Sequence, residues 1–335
     1  MDEAILVAVR KAFGNDIVFL LNEPGRVPNV IFRSTGIATL DVALDGGIPE
    51  GRIIEVYGPE SAGKTALVCG IMGSLQQQGF TGVYIDMEYA FNPKEATENG
   101  LDLDKVYFSQ PEDARTAMGL IEQLCRKSTE PLAIVLDSVA ALVTPAELEA
   151  DPGSAQIGET ARLMSQMMRK LKGPVSTGRH ILIFTNQLRM KIGQMFGNPE
   201  TTTGGRALRF YASQRLQLLG RQKLGPKDNP TGLRTRVRVD KNKVGRPFQM
   251  AEFDILFDGT GIDKMASVLD ASTSLEIVRK VGGNHYFPFK EEKRFAASRD
   301  DAVQYLKDHP EFFISIYKEL SKLFPSAPVN ETEEV

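Results

Sequence analysis

The 335-residue chain has no tryptophan, three histidines and two cysteines. Cys69 and Cys125 cannot build a disulfide framework or a four-thiolate zinc site. They read as small buried hydrophobes in a reducing compartment. No apolar run reaches the roughly 20 residues of a membrane span. The first residues, MDEAILVAVRKAF, place Asp2 and Glu3 where a secretory signal carries positive charge. The expectation is a soluble cytoplasmic protein without a membrane partner. A large net charge is lacking too: 40 Lys and Arg against 43 Asp and Glu leave −3. As an average, that argues against a nucleic-acid binder. What is there in quantity is apolar residue, 42% of the chain, which excludes global disorder.

The mean charge hides a strong asymmetry. Residues 1–159 carry a net −13, residues 160–250 a net +16 and residues 251–335 a net −6. The middle segment is therefore the first place to look for a polyanion site. Along the chain, residues 3–13 have helical apolar spacing, DIVFLL (16–21) reads as a short strand, and Asn22 to Val30 as a linker. A core begins near Ser34. Five apolar runs follow, RIIEVY (52–57), GVYID (82–86), KVYFS (105–109), LAIVLD (132–137) and HILIFT (180–185), with helical patterns at 64–78, 112–127 and 158–172. Strands alternating with helices imply an α/β fold with a mainly parallel sheet covered on both faces. Period-2 segments at 213–220, 233–239 and 248–257 read as antiparallel strands extending that sheet. Helical patterns return at 262–280 and 300–323, and 326–335 reads as a disordered tail.

One motif carries chemistry directly. GPESAGKT (58–65) matches G-x-x-x-x-G-K-[ST] between a predicted strand and a predicted helix, the context a phosphate-binding P-loop requires. Gly58, Pro59, Glu60, Ser61, Ala62, Gly63 and Ala66 supply the loop and its helix. Their N–H groups and the helix dipole suit phosphate oxygens. Lys64 is placed to reach the β- and γ-phosphates of ATP, and the Thr65 hydroxyl to bind Mg²⁺. Asp137, closing LAIVLD, fits the second Mg²⁺-holding position. Glu88, after GVYID, is the candidate general base or water-positioner, with Asp86 its rival. Gln187, after HILIFT, suits a side chain that bonds the γ-phosphate and loses that contact on hydrolysis.

NQLRMKIGQMFGNPETTTGG (186–205), with GPESAGKT, LDSVAAL (136–142), KNKVGRPF (241–248) and STG (34–36), closely resembles the bacterial RecA recombinase family. The resemblance is good over roughly residues 34–260 and looser at the ends. It leaves a bacterial or a phage origin open. It implies a RecA-like P-loop ATPase core at 34–261, with an N-terminal helix-strand arm at 1–33 for protomer assembly. A small α+β C-terminal domain at 262–325 and a short acidic tail at 326–335 (Glu331, Glu333, Glu334) complete the expected plan. The implied activity is DNA-dependent ATP hydrolysis coupled to filament formation on single-stranded DNA, homologous pairing and strand exchange in recombination and repair. Duplex DNA is the second substrate, and a LexA-like repressor of the SOS response a further partner.

Two DNA-binding loops are implied, near 147–158 and 188–205. The second offers Arg189, Met190, Lys191, Ile192, Phe196, Gly197, Asn198, Thr203, Gly204 and Gly205; the first offers Ile157; Arg162 and Arg169 stand on the helix between them. Backbone N–H groups, hydroxyls and cations suit the phosphate backbone, and apolar wedges suit unstacked bases. Lys241 and Lys243 match a lysine pair that acts in trans on a neighbour's ATP. Lys290, Lys293 and Arg294 are candidates for duplex DNA. Asn92 and Glu95 stand where the family has an adenine-reading Asp and a stacking Tyr; Tyr89 is a substitute stacker. The alternative is a ring-forming RecA-fold motor such as a RadA-type branch-migration protein or a helicase. The usual four-cysteine zinc module of the former does not fit two cysteines.

Overall fold

A computed structural model of the chain describes residues 2–14, 17–20, 29–150, 158–190, 200–282, 284–287 and 293–324. The chain divides into two compact units, Met1–Ile31 and Phe32–Val335. The first contains helix α1, Glu3–Phe13, capped by Asp2, whose carboxylate accepts from Ala4 N at 3.1 Å. None of its residues is buried. Of the strand expected at 16–21, the described residues 17–20 are bend and coil. A strand needs a ladder partner. Here the Val18 carbonyl accepts from the Arg10 guanidinium instead.

The second unit opens with β1 (Phe32–Arg33), α2 (Ala38–Ala43) and β2 (Ile48–Pro49), and then builds its main sheet. In chain order come β3 (Arg52–Gly58), α3 (Lys64–Gln77), β4 (Thr81–Asp86), α4 (Pro93–Glu98), β5 (Val106–Ser109), α5 (Ala114–Lys127) and β6 (Leu132–Asp137). Then follow α6 (Pro145–Glu149), α7 (Glu159–Thr177), β7 (Ile181–Met190), β8 (Glu200–Thr202), α8 (Ala207–Tyr211), β9 (Gln214–Leu224), β10 (Gly232–Asn242), β11 (Met250–Leu256) and β12 (Gly261–Ile262). The spatial order is β12-β11-β10-β9-β3-β7-β6-β4-β5, with β8 paired to the end of β7. The strands from β9 to β5 are parallel; β10, β11 and β12 continue antiparallel.

The apolar runs are continuous because both faces are covered. Alternate residues serve opposite layers: Ala133, Val135, Ile181 and Ile183 pack with α2 and α3, whereas Ile134, Leu136, Leu182 and Phe184 pack with α5 and α7. Helix α3 is apolar nearly all round because it is buried nearly all round. Helix α7 runs five residues past the expected end, through Pro174. Strand β7 also outruns HILIFT by five residues because β8 pairs with its end: Leu188 with Thr202, Arg189 with Thr201, Met190 with Glu200.

The last part has α9 (Lys264–Ser274), a small sheet of β13 (Arg279–Val281), β14 (Asn284–Phe287) and β15 (Lys293–Ala296), then α10 (Arg299–Asp308) and α11 (Pro310–Leu323). The helical reading of 262–280 therefore holds only to Ser274; Arg279–Val281 pairs with β14. These elements carry their own apolar cluster, which takes in Ala38 of α2, and they lie in the same compact unit as the sheet.

His180, fully buried just before β7, staples three elements. Its Nδ1 accepts from Leu132 N at 3.0 Å, so its Nε2 carries the proton and donates to the Cys125 carbonyl at 3.1 Å. Burial lowers its pKa from the ordinary 6.5. The unfolded chain takes up a second proton near 6.5, whereas in the fold the Nδ1 that would receive it is accepting from Leu132 N, so stability is lost as pH falls below about 6.5. Urea midpoints at pH 7.5 and 5.5, with the His180 ring followed by NMR, check this. An imidazole titrating near 6.5 in the folded chain would contradict it.

Candidate active site

The P-loop joins the C-terminal end of β3 to α3. Ser61 (φ 55°) and Gly63 (φ 87°) are left-handed on either side of Ala62, an alternation that turns successive N–H groups to one side. At Gly58 a Cβ would lie 2.7 Å from the Leu218 carbonyl oxygen, so only glycine lets β9 pass so close. Lys64 is buried, and its Nζ donates to the Pro59 carbonyl at 2.8 Å. Burial lowers its pKa, opposed by the carboxylates of Asp137, Glu88 and Glu60 and reinforced by Arg221.

Asp137 is the hub of the site. It accepts from Thr65 Oγ1 at 2.9 Å, from the Tyr84 hydroxyl at 2.6 Å and from the Thr185 hydroxyl. Burial, with Asp137 next in effect, pushes the Tyr84 phenol well above its ordinary pKa, so it stays a donor. Beside this hub, Glu88 Oε1 accepts from the Ser138 hydroxyl and from Gln187 Nε2 at 3.4 Å. Asp86 has different work: it accepts from the backbone N–H of Glu88 (3.0 Å) and Phe91 (3.1 Å) and from Gln110 Nε2 (3.0 Å). The two carboxylates thus differ in their partners. Asp86 shapes the turn, and Glu88 faces Gln187.

Lys64, Thr65, Asp137, Glu88 and Gln187 thus converge at the C-terminal ends of β3, β6, β4 and β7, where open α/β sheets bind ligands. Lys241 and Lys243 are not in this group. Lys241 Nζ donates to the carbonyls of Arg209 (2.7 Å) and Phe210 (3.0 Å), and Lys243 Nζ to that of Phe210 at 3.3 Å.

Asn92 heads α4 as its N-cap, its side-chain oxygen accepting from Lys94 N (3.1 Å) and Glu95 N (3.4 Å). That oxygen is engaged by the backbone, and only the amide nitrogen is left for a base. Glu95 is exposed. Tyr89, exposed at φ 56°, donates to the Pro111 carbonyl at 3.3 Å.

Of the DNA-binding candidates, Arg162 and Arg169 stand exposed two turns apart on α7, and Arg189 is exposed in the β7–β8 ladder. Met190 pairs through its backbone with Glu200. Gly204 and Gly205 are left-handed (φ 77° and 78°), and a Cβ on either would meet Val139 Cγ1 at 2.7 Å or Ala161 Cβ at 2.9 Å. They bring the exit of the second loop hard against the core. The Thr203 carbonyl accepts from Asn186 Nδ2 at 3.1 Å. Ile157, Lys191, Ile192, Phe196, Gly197, Asn198 and Lys290 lie outside the described residues, as does the tail. Lys293 and Arg294 lie on β15. The expected first loop begins in a helix: Glu147 and Glu149 belong to α6, which a Thr144–Glu147 capping box starts.

Sequence reasoning missed Tyr84, Thr185 and Ser138, which orient the two carboxylates. Ser138 stood next to Asp137 in the LDS tripeptide, but Tyr84 and Thr185 are ordinary strand residues. It also missed Arg221, whose charge is felt at Lys64, and Ile255, whose Cδ1 would lie 3.6 Å from a Cβ at Gly63.

A P-loop opening a helix on a mostly parallel sheet, with a strand-end carboxylate bonded to its threonine, defines the P-loop nucleotide-binding class. Within that class the comparisons are specific. The family model described as the RecA N-terminal domain matches residues 1–263. Protein RecA of Rhodospirillum rubrum is 44% identical over 309 residues, 92% of this chain and 83% of the relative. Protein RecA of Rickettsia africae is 42% identical over 337 residues, 99% of this chain and 96% of the relative. A crystal structure of the RadB recombinase aligns with a TM-score of 0.51 at 23% identity, over 68% of this chain and 97% of that one, a likeness of fold. The chain belongs to the RecA family and is a RecA-like recombinase.

Proposed function

We propose that this protein assembles on single-stranded DNA with ATP, pairs it with homologous duplex DNA, exchanges strands and hydrolyses ATP in a DNA-dependent manner. The observation that carries the reading is the convergence of Lys64, Thr65, Asp137, Glu88 and Gln187 at one end of the sheet. Gln187 lies on the same strand that becomes the stem of the second loop. The donor set fits the cofactors. The Thr65 hydroxyl and Asp137 carboxylate are hard oxygen ligands of the kind Mg²⁺ takes together with substrate phosphates. When bound, Mg²⁺ neutralises charge on the β- and γ-phosphates.

Lys64 binds the same phosphates. Glu88, held by Ser138 and Gln187, orients the attacking water. Gln187 reports the γ-phosphate to the β7–β8 hairpin. Arg162, Arg169 and Arg189 hold the DNA backbone. A LexA-like repressor partner and a cytoplasmic location belong to the same reading and are supported by family membership; no helix among the described residues is long and apolar enough to cross a membrane. The test is ATP hydrolysis with and without single-stranded DNA, electron microscopy, and a strand-exchange assay. Hydrolysis indifferent to DNA, without filaments, defeats the proposal; closed hexamers that unwind forks favour a ring-forming motor.

In this reading Lys241 and Lys243 act on a neighbour's nucleotide. Burial, with Lys243 and Arg215 close by, lowers the Lys241 pKa to about 8. A lysine is charged below its pKa, so ATP-dependent assembly weakens as pH rises through about 8. Lys241→Arg keeps its charge and flattens that limb. Light scattering between pH 7 and 9 reads the effect. Identical profiles for wild type and Lys241→Arg would remove Lys241 from this role.

A further inference from the structure

A row of buried polar side chains crosses four neighbouring strands, and none of its inner members is explained by nucleotide binding. On β3, Glu55 stands in register with Arg215 of β9, which stands in register with Lys241 of β10. Glu55 is fully buried and Arg215 is 6% exposed. Arg215 Nε donates to Glu55 Oε2 at 2.5 Å, and its guanidinium lies 4.3 Å from the centroid of the Tyr57 ring. On the other side of β3, Asn186 of β7 is fully buried and uses both ends of its amide. Nδ2 donates to Glu55 Oε1 and to the Thr203 carbonyl, each at 3.1 Å, and Oδ1 accepts from Gln187 N at 2.9 Å.

This row joins three places the proposed function keeps apart. At one end is Lys241, whose Nζ rests on carbonyls of α8, the short helix that follows the exit of the second loop. At the other end are Gln187 and Thr203, the residue facing the γ-phosphate and the last residue of that loop before its two left-handed glycines. An apolar side chain at the Asn186 position would leave the Glu55 carboxylate, the Thr203 carbonyl and the Gln187 N–H each short of a partner, so the buried amide, satisfied on three sides, is there for its bonds.

We propose that Asn186 is a positioning residue that couples the Gln187 contact to the exit of the second loop. Glu55 and Arg215 extend the coupling to Lys241. The nucleotide a neighbouring protomer presents to Lys241 is then felt at this protomer's own DNA loop. The inference rests on the proposed function and adds to it a route between the two sites. Asn186 touches neither nucleotide nor DNA; it acts through the two segments it ties.

The test measures the affinity of fluorescently labelled oligo(dT) by anisotropy, with a non-hydrolysable ATP analogue and with ADP. The ratio of the two affinities is the coupling. In full-length Asn186→Ala the ratio falls about tenfold, within the usual range of allosteric coupling, while affinity for the ATP analogue without DNA is kept. A thermal scan shows that the variant is folded. A folded Asn186→Ala with the wild-type ratio overturns the proposal. Should it fail to fold, Asn186→Ser carries the test: the shorter side chain cannot bridge Glu55, Thr203 and Gln187 together, the same loss of ratio is expected, and an unchanged ratio in the folded variant overturns the coupling. Arg215→Met/Glu55→Gln removes both charges of the buried pair and leaves an oxygen for Asn186; an unchanged ratio there overturns the extension to Lys241. A wild-type protein that shows no nucleotide-dependent DNA binding overturns the proposed function instead.

Discussion

Glu88→Gln binds ATP and assembles like the wild type but hydrolyses ATP about 1,000-fold more slowly, the scale of a lost general base. The substitution is nearly isosteric. The amide it introduces keeps a carbonyl oxygen where Glu88 Oε1 accepts from Ser138 and Gln187, so the local geometry is kept. What is lost is the negative charge that, in the proposed role, draws the proton from the attacking water. Because Lys64, Thr65 and Asp137 are untouched, the affinity for ATP is preserved, and slow turnover leaves filaments long-lived. Single-turnover hydrolysis on single-stranded DNA, with nucleotide binding measured separately, checks this. Hydrolysis at the wild-type rate would pass the role to another carboxylate, and Asp86, committed to three other donors, would need a rearranged turn to take it.

The largest expected effect on stability comes from Glu55→Ala, a loss of about 3–5 kcal/mol. Arg215 and Glu55 form an ion pair in the centre of the sheet. Removing the acid leaves the guanidinium over the Tyr57 ring without its carboxylate and leaves Asn186 without one of its acceptors. The cost is mainly that uncompensated charge; the net worth of the pair is smaller. Accordingly Arg215→Met/Glu55→Gln recovers most of the stability that Glu55→Ala loses. Urea unfolding of the three proteins gives the comparison. A Glu55→Ala variant within about 1 kcal/mol of wild type would show that water reaches Arg215.

How much of this was legible depends on distance along the chain. LAIVLD became β6 at its expected bounds, because five apolar residues closed by an acid leave little choice between two covered faces. The P-loop was legible for the same reason: strand, turn glycines, lysine and helix are consecutive. Where the partner is remote, the sequence says less. The described residues of DIVFLL, 17–20, are strand-like in composition and form no ladder among the described residues of their unit. HILIFT grew to Met190 only because residues 200–202 come back to pair with it. That the Asn92 side-chain oxygen holds the N-terminus of α4, a demand set by Pro93 and the chain that follows, was not read from the sequence. The choice between Asp86 and Glu88 turned on which one the backbone of residues 88–91 uses up.

The sequence by itself determined the P-loop, the alternation of strand and helix, and the basic middle segment behind a near-zero net charge. These are properties of short contiguous stretches, whose local geometry dictates what they bind. Only the tertiary structure decided that Thr65, Tyr84 and Thr185 share one carboxylate, and that Glu55, 160 residues from Arg215, is its ion-pair partner. It also decided that one buried asparagine ties the Thr203 carbonyl to the backbone N–H of Gln187. Parallel sheets bring together residues from distant segments by register, and register is set by which strands become neighbours.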